Sequence, residues 1–148
     1  MKRGAQPKLN SFGKSKTTKN SNIRNMFYKR DEHTLQCACV RWFRGTYPHL
    51  ATRLFAVPNG GRRDAATGAR LKDEGVLAGV SDLILLLPNK RYHALLIEMK
   101  TERGRQSQAQ KKWEREITER DEYKYVVCHN FEEFTQAITN YAPSTESL

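Results

Sequence analysis

The sequence GVSDLILLLPNKRYHALLIEMKT, residues 79–101, decides the fold of this chain. Its apolar residues predict two strands, over 81–87 and 93–99, and the turn-forming residues Pro88-Asn89-Lys90 predict the connection between them. Strands that are apolar on both faces are usually buried on both faces. The stretch therefore predicts a buried hairpin.

Charged side chains collect at one end of this hairpin, where Asp82, Glu98 and Lys100 lie. If the hairpin is symmetric about Lys90, Asp82 lies directly across from Glu98. Side chains alternate between the two faces of a strand, so Glu98 and Lys100 point the same way and Met99 points the other way. The pattern predicts two carboxylates and one amine close together at the end of an apolar hairpin.

This charged cluster has two interpretations. Two facing carboxylates repel each other, and one of them takes up a proton unless a cation lies nearby. Ligation by oxygen alone suits Mg²⁺ or Mn²⁺ rather than Zn²⁺. The alternative is a structural salt bridge from Lys100 to Glu98 or Asp82 at a solvated strand end. The apolar setting favours the functional interpretation, because charges at the ends of buried strands are destabilising unless they are used.

Length and composition predict one intracellular domain. At 148 residues the chain is long enough for a single sizeable core. No apolar run approaches the length of a membrane span, and no apolar signal segment follows the basic N-terminus, so we expect a cytoplasmic protein without membrane association. The cysteines, which lack zinc-type spacing, are expected to be free thiols in a reducing compartment: Cys37, Cys39 and Cys128.

The formal net charge of +10 is unevenly distributed. Residues 1–30 contain nine Lys or Arg and no Asp or Glu, so the rest of the chain is nearly neutral. We predict a disordered basic tail over 1–29, a folded domain over 30–142 and a frayed end over 143–148. Such a tail suits non-specific attraction to nucleic-acid phosphate, and its alternative role is to keep the protein in solution.

The remaining sequence predicts helices alternating with strands, which favours an α/β fold with a mixed central sheet. No Gly-rich phosphate loop, G-x-S-x-G or C-x-x-C motif occurs, so we expect no nucleotide cofactor, esterase or redox chemistry. Besides the hairpin, the predicted elements are a helix from Asp31 to about Arg44, a strand over 53–57, a short helix over 64–74, a helix from Ser107 to about Arg120, a strand over 123–128 and a last helix capped by Asn130.

Two helix starts carry residues with a structural and a functional interpretation. Glu32 falls on the inward face of the first turn of its helix, where it either complements the helix dipole or belongs to a site. Ser107 and Gln110 have the spacing of a capping box. That helix also begins one short loop after Lys100, so its first turn is a candidate neighbour of the carboxylates.

A turn at 58–61 precedes two arginines. Asn59, Gly60 and Gly61 permit the positive φ of a tight turn, which is its structural explanation. Arg62 and Arg63 add donors that suit a phosphate. This segment is a candidate nucleic-acid contact, together with Ser107.

Taken together, these features resemble the PD-(D/E)xK nuclease superfamily, and more closely its VRR-NUC branch. The resemblance covers about residues 30–142 and implies a restriction-endonuclease-like αβββαβ core with a mixed central sheet flanked by helices. The most diagnostic feature is a Gln on the helix after the E-x-K motif. The matching segments are Pro58-Asn59-Gly60-Gly61-Arg62, Gly79-Val80-Ser81-Asp82, Ile97-Glu98-Met99-Lys100-Thr101 and Gly104-x-x-Ser107-x-x-Gln110-x-x-Trp113.

The resemblance implies metal-dependent hydrolysis of DNA phosphodiesters with Mg²⁺ or Mn²⁺. By motif match, Asp82 and Glu98 are metal ligands, the Met99 carbonyl is a third, and Glu32 holds the metal directly or through water. Lys100 orients or deprotonates the attacking water and helps to neutralise the phosphorane charge. Gln110 is expected to orient Lys100 or the water.

The resemblance also indicates which substrate and which oligomeric state to expect. Stand-alone members of the branch resemble homodimers that cleave Holliday junctions, and this chain has only a short tail beside its nuclease-like domain, so we expect a homodimer acting on branched DNA. A two-fold dimer supplies two cuts on opposite strands. The alternatives are a nicking or restriction-type nuclease acting on linear duplex, and a non-catalytic DNA-binding module that uses the basic tail.

Overall fold

The computed structural model describes residues 31–58 and 65–142. The predicted tails over 1–29 and 143–148 lie outside this part of the chain. The described elements are α1 (Glu32–Thr46), a 3-10 helix (Pro48–Leu50), β1 (Leu54–Ala56), α2 (Ala65–Asp73), β2 (Leu83–Leu85), β3 (Ala94–Met99), α3 (Gln108–Thr118), β4 (Tyr123–Cys128) and α4 (Phe131–Tyr141).

The four strands form one mixed sheet in the order β1-β2-β3-β4. The first two pairings are antiparallel, and β3 pairs with β4 in parallel. In the hairpin Leu83 pairs with Ile97, which is the register predicted from symmetry about Lys90 and continues to Asp82 opposite Glu98. The predicted α/β class with a mixed central sheet is confirmed.

Strand β2 is shorter than the predicted 81–87. At its start, the Asp82 side chain accepts the Met99 N–H at 2.8 Å. At its end, the Leu87 N–H bonds to the Leu85 carbonyl at 3.0 Å, within the same segment. On the side of β3, these local hydrogen bonds take groups that would extend the pairing, whereas on the side of β1 backbone hydrogen bonds continue at Asp82 and Leu86.

The two faces of the sheet are covered unequally. Helices α1 and α4 pack on the face that carries Leu83 and Ile97, and the largest group of buried side chains lies there. Helix α3 lies on the opposite face, where the edge of Trp113 meets the ring of Tyr125 at a centroid distance of 6.0 Å. Glu98 alternates with Ile97, so it belongs to the face that α3 covers.

The predicted helix caps are present. Asp31 accepts the Thr34 N–H at 2.7 Å and begins α1, and Asn130 accepts the Glu133 N–H at 2.8 Å and begins α4. Ser107 and the third residue of α3 form the predicted capping box. These side chains satisfy backbone donors that have no partner within the helix.

The three cysteines are free thiols. Cys39 and Cys128 are buried, and burial raises the pKa of each to about 12. Cys37 is exposed on α1. In the described residues, no helix combines the length and the apolar character needed to cross a membrane.

Candidate active site

Asp82, Glu98 and Lys100 meet at one end of the sheet, as the hairpin predicts. Glu98 has no exposed surface, and Lys100 is buried directly after the end of β3. The ammonium of Lys100 donates to Glu98 Oε1 and, at 3.0 Å, to the Met99 carbonyl. The strand thus presents a buried carboxylate, a carbonyl oxygen and an amine within one small volume.

Both oxygens of Glu98 accept hydrogen bonds. Oε1 accepts from the ammonium of Lys100 and from the side-chain amide of Gln110. Oε2 accepts from the hydroxyl of Tyr125 at 3.2 Å. These donors come from the end of β3, from α3 and from β4, so three elements fix one carboxylate.

The environment raises the pKa of Glu98 to about 7. Burial is the largest cause, because it disfavours the charged form. The hydrogen bond and charge of Lys100 lower the pKa, and the nearby charge of Asp82 raises it. The net effect is a carboxylate that is close to taking up a proton at neutral pH.

Asp82 lies at the junction of three strands. Its Oδ2 accepts the Met99 N–H at 2.8 Å, and its backbone carbonyl accepts the Val57 N–H at 2.9 Å. The residue is half-buried, in contrast with the fully buried Glu98. One carboxylate of the pair is therefore open to solvent and the other is enclosed.

Glu32 reaches the site from the first turn of α1. Its Oε1 lies 3.9 Å from Lys100 Nζ, while 46% of its side chain is exposed. The position also suits the helix dipole, since an acidic residue in the first turn faces the unpaired N–H groups. Both interpretations of Glu32 are compatible with this geometry.

Gln110 serves the helix cap and the site at the same time. Its Oε1 accepts the Ser107 N–H at 2.7 Å, and its Nε2 donates to Glu98. The amide thus contacts Glu98 Oε1, the oxygen that also accepts from Lys100, and the role that the resemblance implies, to orient Lys100 or the water, stays a prediction. Close packing helps to hold it there, because a Cβ at Gly79 would lie 2.9 Å from the Gln110 backbone nitrogen.

The oxygen donors fit a hard divalent cation. Asp82, Glu98 and the Met99 carbonyl supply oxygen only, and Mg²⁺ takes one or two carboxylates and completes its shell with water. Across residues 31–58 and 65–142, no group of three or more His, Cys, Asp or Glu residues is arranged to hold a metal. The residues therefore fit a cation bound by two protein carboxylates. In this site the ammonium of Lys100 contacts Glu98 and the Met99 carbonyl directly.

The predicted nucleic-acid contacts fall largely outside the described part of the chain. Asn59, Gly60, Gly61, Arg62 and Arg63 lie between its two ranges. Ser107 is described, and it is exposed at the start of α3, one helical turn from Gln110.

Sequence reasoning missed Tyr125 and Gln106. Tyr125 lies within a correctly predicted strand, but its proximity to Glu98 depends on the parallel pairing of Leu96 with Tyr125. Gln106 lies in a loop that the sequence marks only as polar. Tyr125 could have been predicted as a neighbour of Glu98 only if the sequence had indicated that the last strand pairs with the strand that carries Glu98.

Comparisons with known proteins identify the family of this chain. Residues 18–132 match the model of the VRR-NUC domain, a span that begins within the predicted tail. A solved structure of a VRR-NUC domain protein is similar, with a TM-score of 0.64 and 25% sequence identity over 75% of this chain and 87% of that chain. No curated protein matches. The chain therefore belongs to the VRR-NUC domain family, and this membership implies a nuclease-type function in DNA processing.

Proposed function

We propose that this protein is a Mg²⁺- or Mn²⁺-dependent endonuclease that hydrolyses phosphodiester bonds in branched DNA. The observation that carries the proposal is the convergence of Lys100 and Gln110 on the buried Glu98, opposite Asp82. A buried carboxylate with a raised pKa next to a second carboxylate is typical of a functional site. The family match supports the nuclease class.

The carboxylates would hold the metal. Asp82 and Glu98 would be direct ligands, with the Met99 carbonyl beside them. Glu32 is not grouped with these two carboxylates in the structure, so it would bind through water, or directly after moving closer. When bound, the metal would polarise the phosphoryl group and lower the pKa of a water molecule. The charge of such a cation would also lower the pKa of Glu98, which burial raises in its absence.

Lys100 would act on the reacting groups. In the transition state a water oxygen forms a bond to phosphorus while the bond to the leaving sugar oxygen breaks, and negative charge gathers on the phosphoryl oxygens. An ammonium next to the site stabilises this charge by donating hydrogen bonds, and it can orient the attacking water. Gln110 would hold the Glu98 carboxylate, which contacts Lys100, in position while Lys100 stabilises the charge and orients the water.

The substrate that we propose is branched DNA, such as a Holliday junction, bound by a homodimer. Two sites related by a two-fold axis would cut opposite strands of a symmetric junction. The basic residues within 1–30 would add affinity for phosphate without sequence preference. Linear duplex cleavage by the same residues is the alternative within the nuclease class.

A cleavage assay tests the proposal. Wild type and Lys100→Ala would be incubated with four-way junction, flap and linear duplex DNA, with and without Mn²⁺. We expect metal-dependent cutting of the junction that the substitution abolishes. Undiminished cutting by the variant would contradict the assignment of Lys100, and preferred cutting of linear duplex would contradict the branched substrate.

The same assay separates the non-catalytic alternative. A DNA-binding module that relies on its basic tail binds without metal, loses affinity steeply with salt and fails when residues 1–30 are deleted. Binding of DNA without cleavage, both with and without Mn²⁺, would favour this module over the endonuclease.

A further inference from the structure

A chain of hydrogen bonds ends at Oε2 of Glu98, the oxygen that Lys100 does not contact. The Tyr125 hydroxyl lies 3.2 Å from Oε2. Gln106 Nε2 lies 3.4 Å from the Tyr125 oxygen and 2.7 Å from Oε2 of Glu114. The chain thus links Glu98 on β3 to β4, to the loop before α3 and to α3 itself.

Chemistry sets the direction of each bond in this chain. The side-chain nitrogen of Gln106 can only donate, so the oxygen of Tyr125 accepts from it. The single hydroxyl proton of Tyr125 is then left for Glu98. Glu114 fixes the orientation of the Gln106 side-chain amide, because a carboxylate accepts a hydrogen bond from the amide nitrogen and cannot accept one from the amide oxygen.

The ring of Tyr125 is itself held in place. Tyr125 is buried on β4, and its backbone pairs with Leu96 in the central strand. The edge of Trp113 packs against the ring at a centroid distance of 6.0 Å. The hydroxyl therefore meets Glu98 from a fixed direction, as a group that orients a ligand must do.

We propose that Tyr125 is a positioning residue that orients the Glu98 carboxylate for metal binding. Its hydroxyl holds Oε2, so that Oε1 stays directed at Lys100 and Gln110. The inference rests on the proposed metal-dependent activity. It adds to that proposal the residue that orients Glu98, the buried ligand of the metal. Without the hydroxyl, the carboxylate is held only at Oε1, and Oε2 is left buried without its donor.

The test is the Mn²⁺ affinity of Tyr125→Phe, measured without DNA by the electron paramagnetic resonance signal of free Mn²⁺. This change keeps the ring and removes only the hydroxyl. Loss of a group that orients a metal ligand weakens metal binding by about 10- to 100-fold, so we expect the Kd to rise by about tenfold. The matched control is Tyr123→Phe on the same strand, whose ring contacts His93, and its Kd should stay within about twofold of wild type.

Cleavage supplies a second readout that a merely structural role would not change. The Mn²⁺ concentration for half-maximal cleavage should rise in parallel with the Kd, and excess Mn²⁺ should restore much of the rate. Affinity for junction DNA in EDTA should be the same in Tyr125→Phe and wild type, because the hydroxyl is buried behind Glu98.

The outcomes distinguish this inference from the proposed function. Equal Mn²⁺ affinity in Tyr125→Phe and Tyr123→Phe overturns the positioning role and leaves the metal-dependent activity standing. A wild-type protein that binds no Mn²⁺ overturns both. If Tyr125→Phe does not fold, Gln106→Ala carries the test, with Gln108→Ala as its control, and a selective loss of Mn²⁺ affinity in Gln106→Ala supports the proposal.

Discussion

The side-chain amide of Gln110 joins the start of α3 to the buried carboxylate of Glu98. Its oxygen accepts the Ser107 N–H at 2.7 Å, and its nitrogen donates to Glu98 Oε1. The same side chain therefore completes a helix cap and holds a candidate metal ligand. The placement of the helix and the orientation of the carboxylate depend on each other through this residue.

Gln110→Ala should impair both stability and cleavage. Loss of the cap contact is expected to lower the free energy of unfolding by about 1 kcal/mol, and the freed Glu98 should slow cleavage by about tenfold or more. Urea unfolding and single-turnover cleavage measure the two effects. Gln108→Ala, an exposed neighbour in the same helical turn, is the control and should change neither by much. Normal cleavage by Gln110→Ala would separate the cap from the site.

Lys100→Met should separate metal binding from chemistry. The ammonium contacts Glu98 and the Met99 carbonyl, so its removal frees these oxygens for a cation. We expect Mn²⁺ binding at least as tight as in wild type and cleavage reduced by at least about 100-fold. Isothermal titration calorimetry and gel cleavage measure these, with the exposed Lys124→Met as control. Lost Mn²⁺ binding would show that Lys100 supports the metal instead of competing with it.

The stability of the metal-free protein should fall as pH rises from about 4.5 to about 7. The pKa of Glu98 is raised from 4.5 to about 7 by burial, so the native state holds its proton over a range in which the unfolded chain has released it. This contribution is full below pH 4.5 and is lost above about pH 7, with an upper size of about 3 kcal/mol.

Glu98→Gln isolates this contribution. The glutamine side chain cannot ionise. The free energy of unfolding of the variant minus that of wild type should therefore increase as the pH rises from about 4.5 to about 7 in EDTA. Exposed Glu119→Gln is the control and should follow wild type. A pH-independent difference between Glu98→Gln and wild type in urea unfolding would contradict the raised pKa.

Gly79→Ala should disturb the site from a distance. Gly79 has a φ of 91°, and a Cβ there would lie 2.5 Å from the Ala109 carbonyl oxygen at the start of α3. The strained backbone and the clash should together lower the free energy of unfolding by more than about 2 kcal/mol and slow cleavage by moving Gln110.

Gly45→Ala is the matched control for that substitution. Gly45 lies in α1, and a methyl group added there would have nothing within 4 Å, so alanine should stabilise the helix by up to about 1 kcal/mol. Thermal unfolding of the two variants should therefore shift in opposite directions. Equal shifts would mean that the close approach of Gly79 to α3 is not maintained in solution.

Thiol labelling should distinguish one cysteine from the other two. Cys37 is exposed, whereas burial raises the pKa of Cys39 and Cys128 to about 12, so neither forms the reactive thiolate at neutral pH. A thiol reagent at about pH 7.5 should modify Cys37 rapidly in the native protein and all three cysteines in urea. Rapid native labelling in Cys37→Ser would contradict the buried positions.

Local patterns in the sequence were sufficient for much of the fold. The caps at Asp31, Ser107 and Asn130 were predicted because capping depends on residues only three positions apart. The position of Asp82 opposite Glu98 followed from the hairpin, whose register is symmetric about Lys90.

The rest depends on contacts between distant segments. The parallel pairing of β3 and β4 brings Tyr125 to Glu98, and nothing in the local periodicity specifies which strand pairs with which. The close packing of α3 against Gly79 helps to place the Gln110 amide against Glu98. The sequence therefore predicted which charged residues meet and that Gln110 lies near them, but it did not predict the contacts that Tyr125 and Gln106 make.

The position of β3 between β2 and β4 also bears on how the site comes apart. Its amide hydrogens are enclosed by a strand on either side, and Lys100 continues this pairing through its N–H to the Cys128 carbonyl at 2.9 Å. Exchange of such amides with deuterium requires the cooperative opening of the sheet. Gln110 instead lies in the first turn of a helix, where fraying is easiest. Local fluctuations should therefore break the hydrogen bond from the Gln110 side chain to Glu98 long before they separate Glu98 from Lys100.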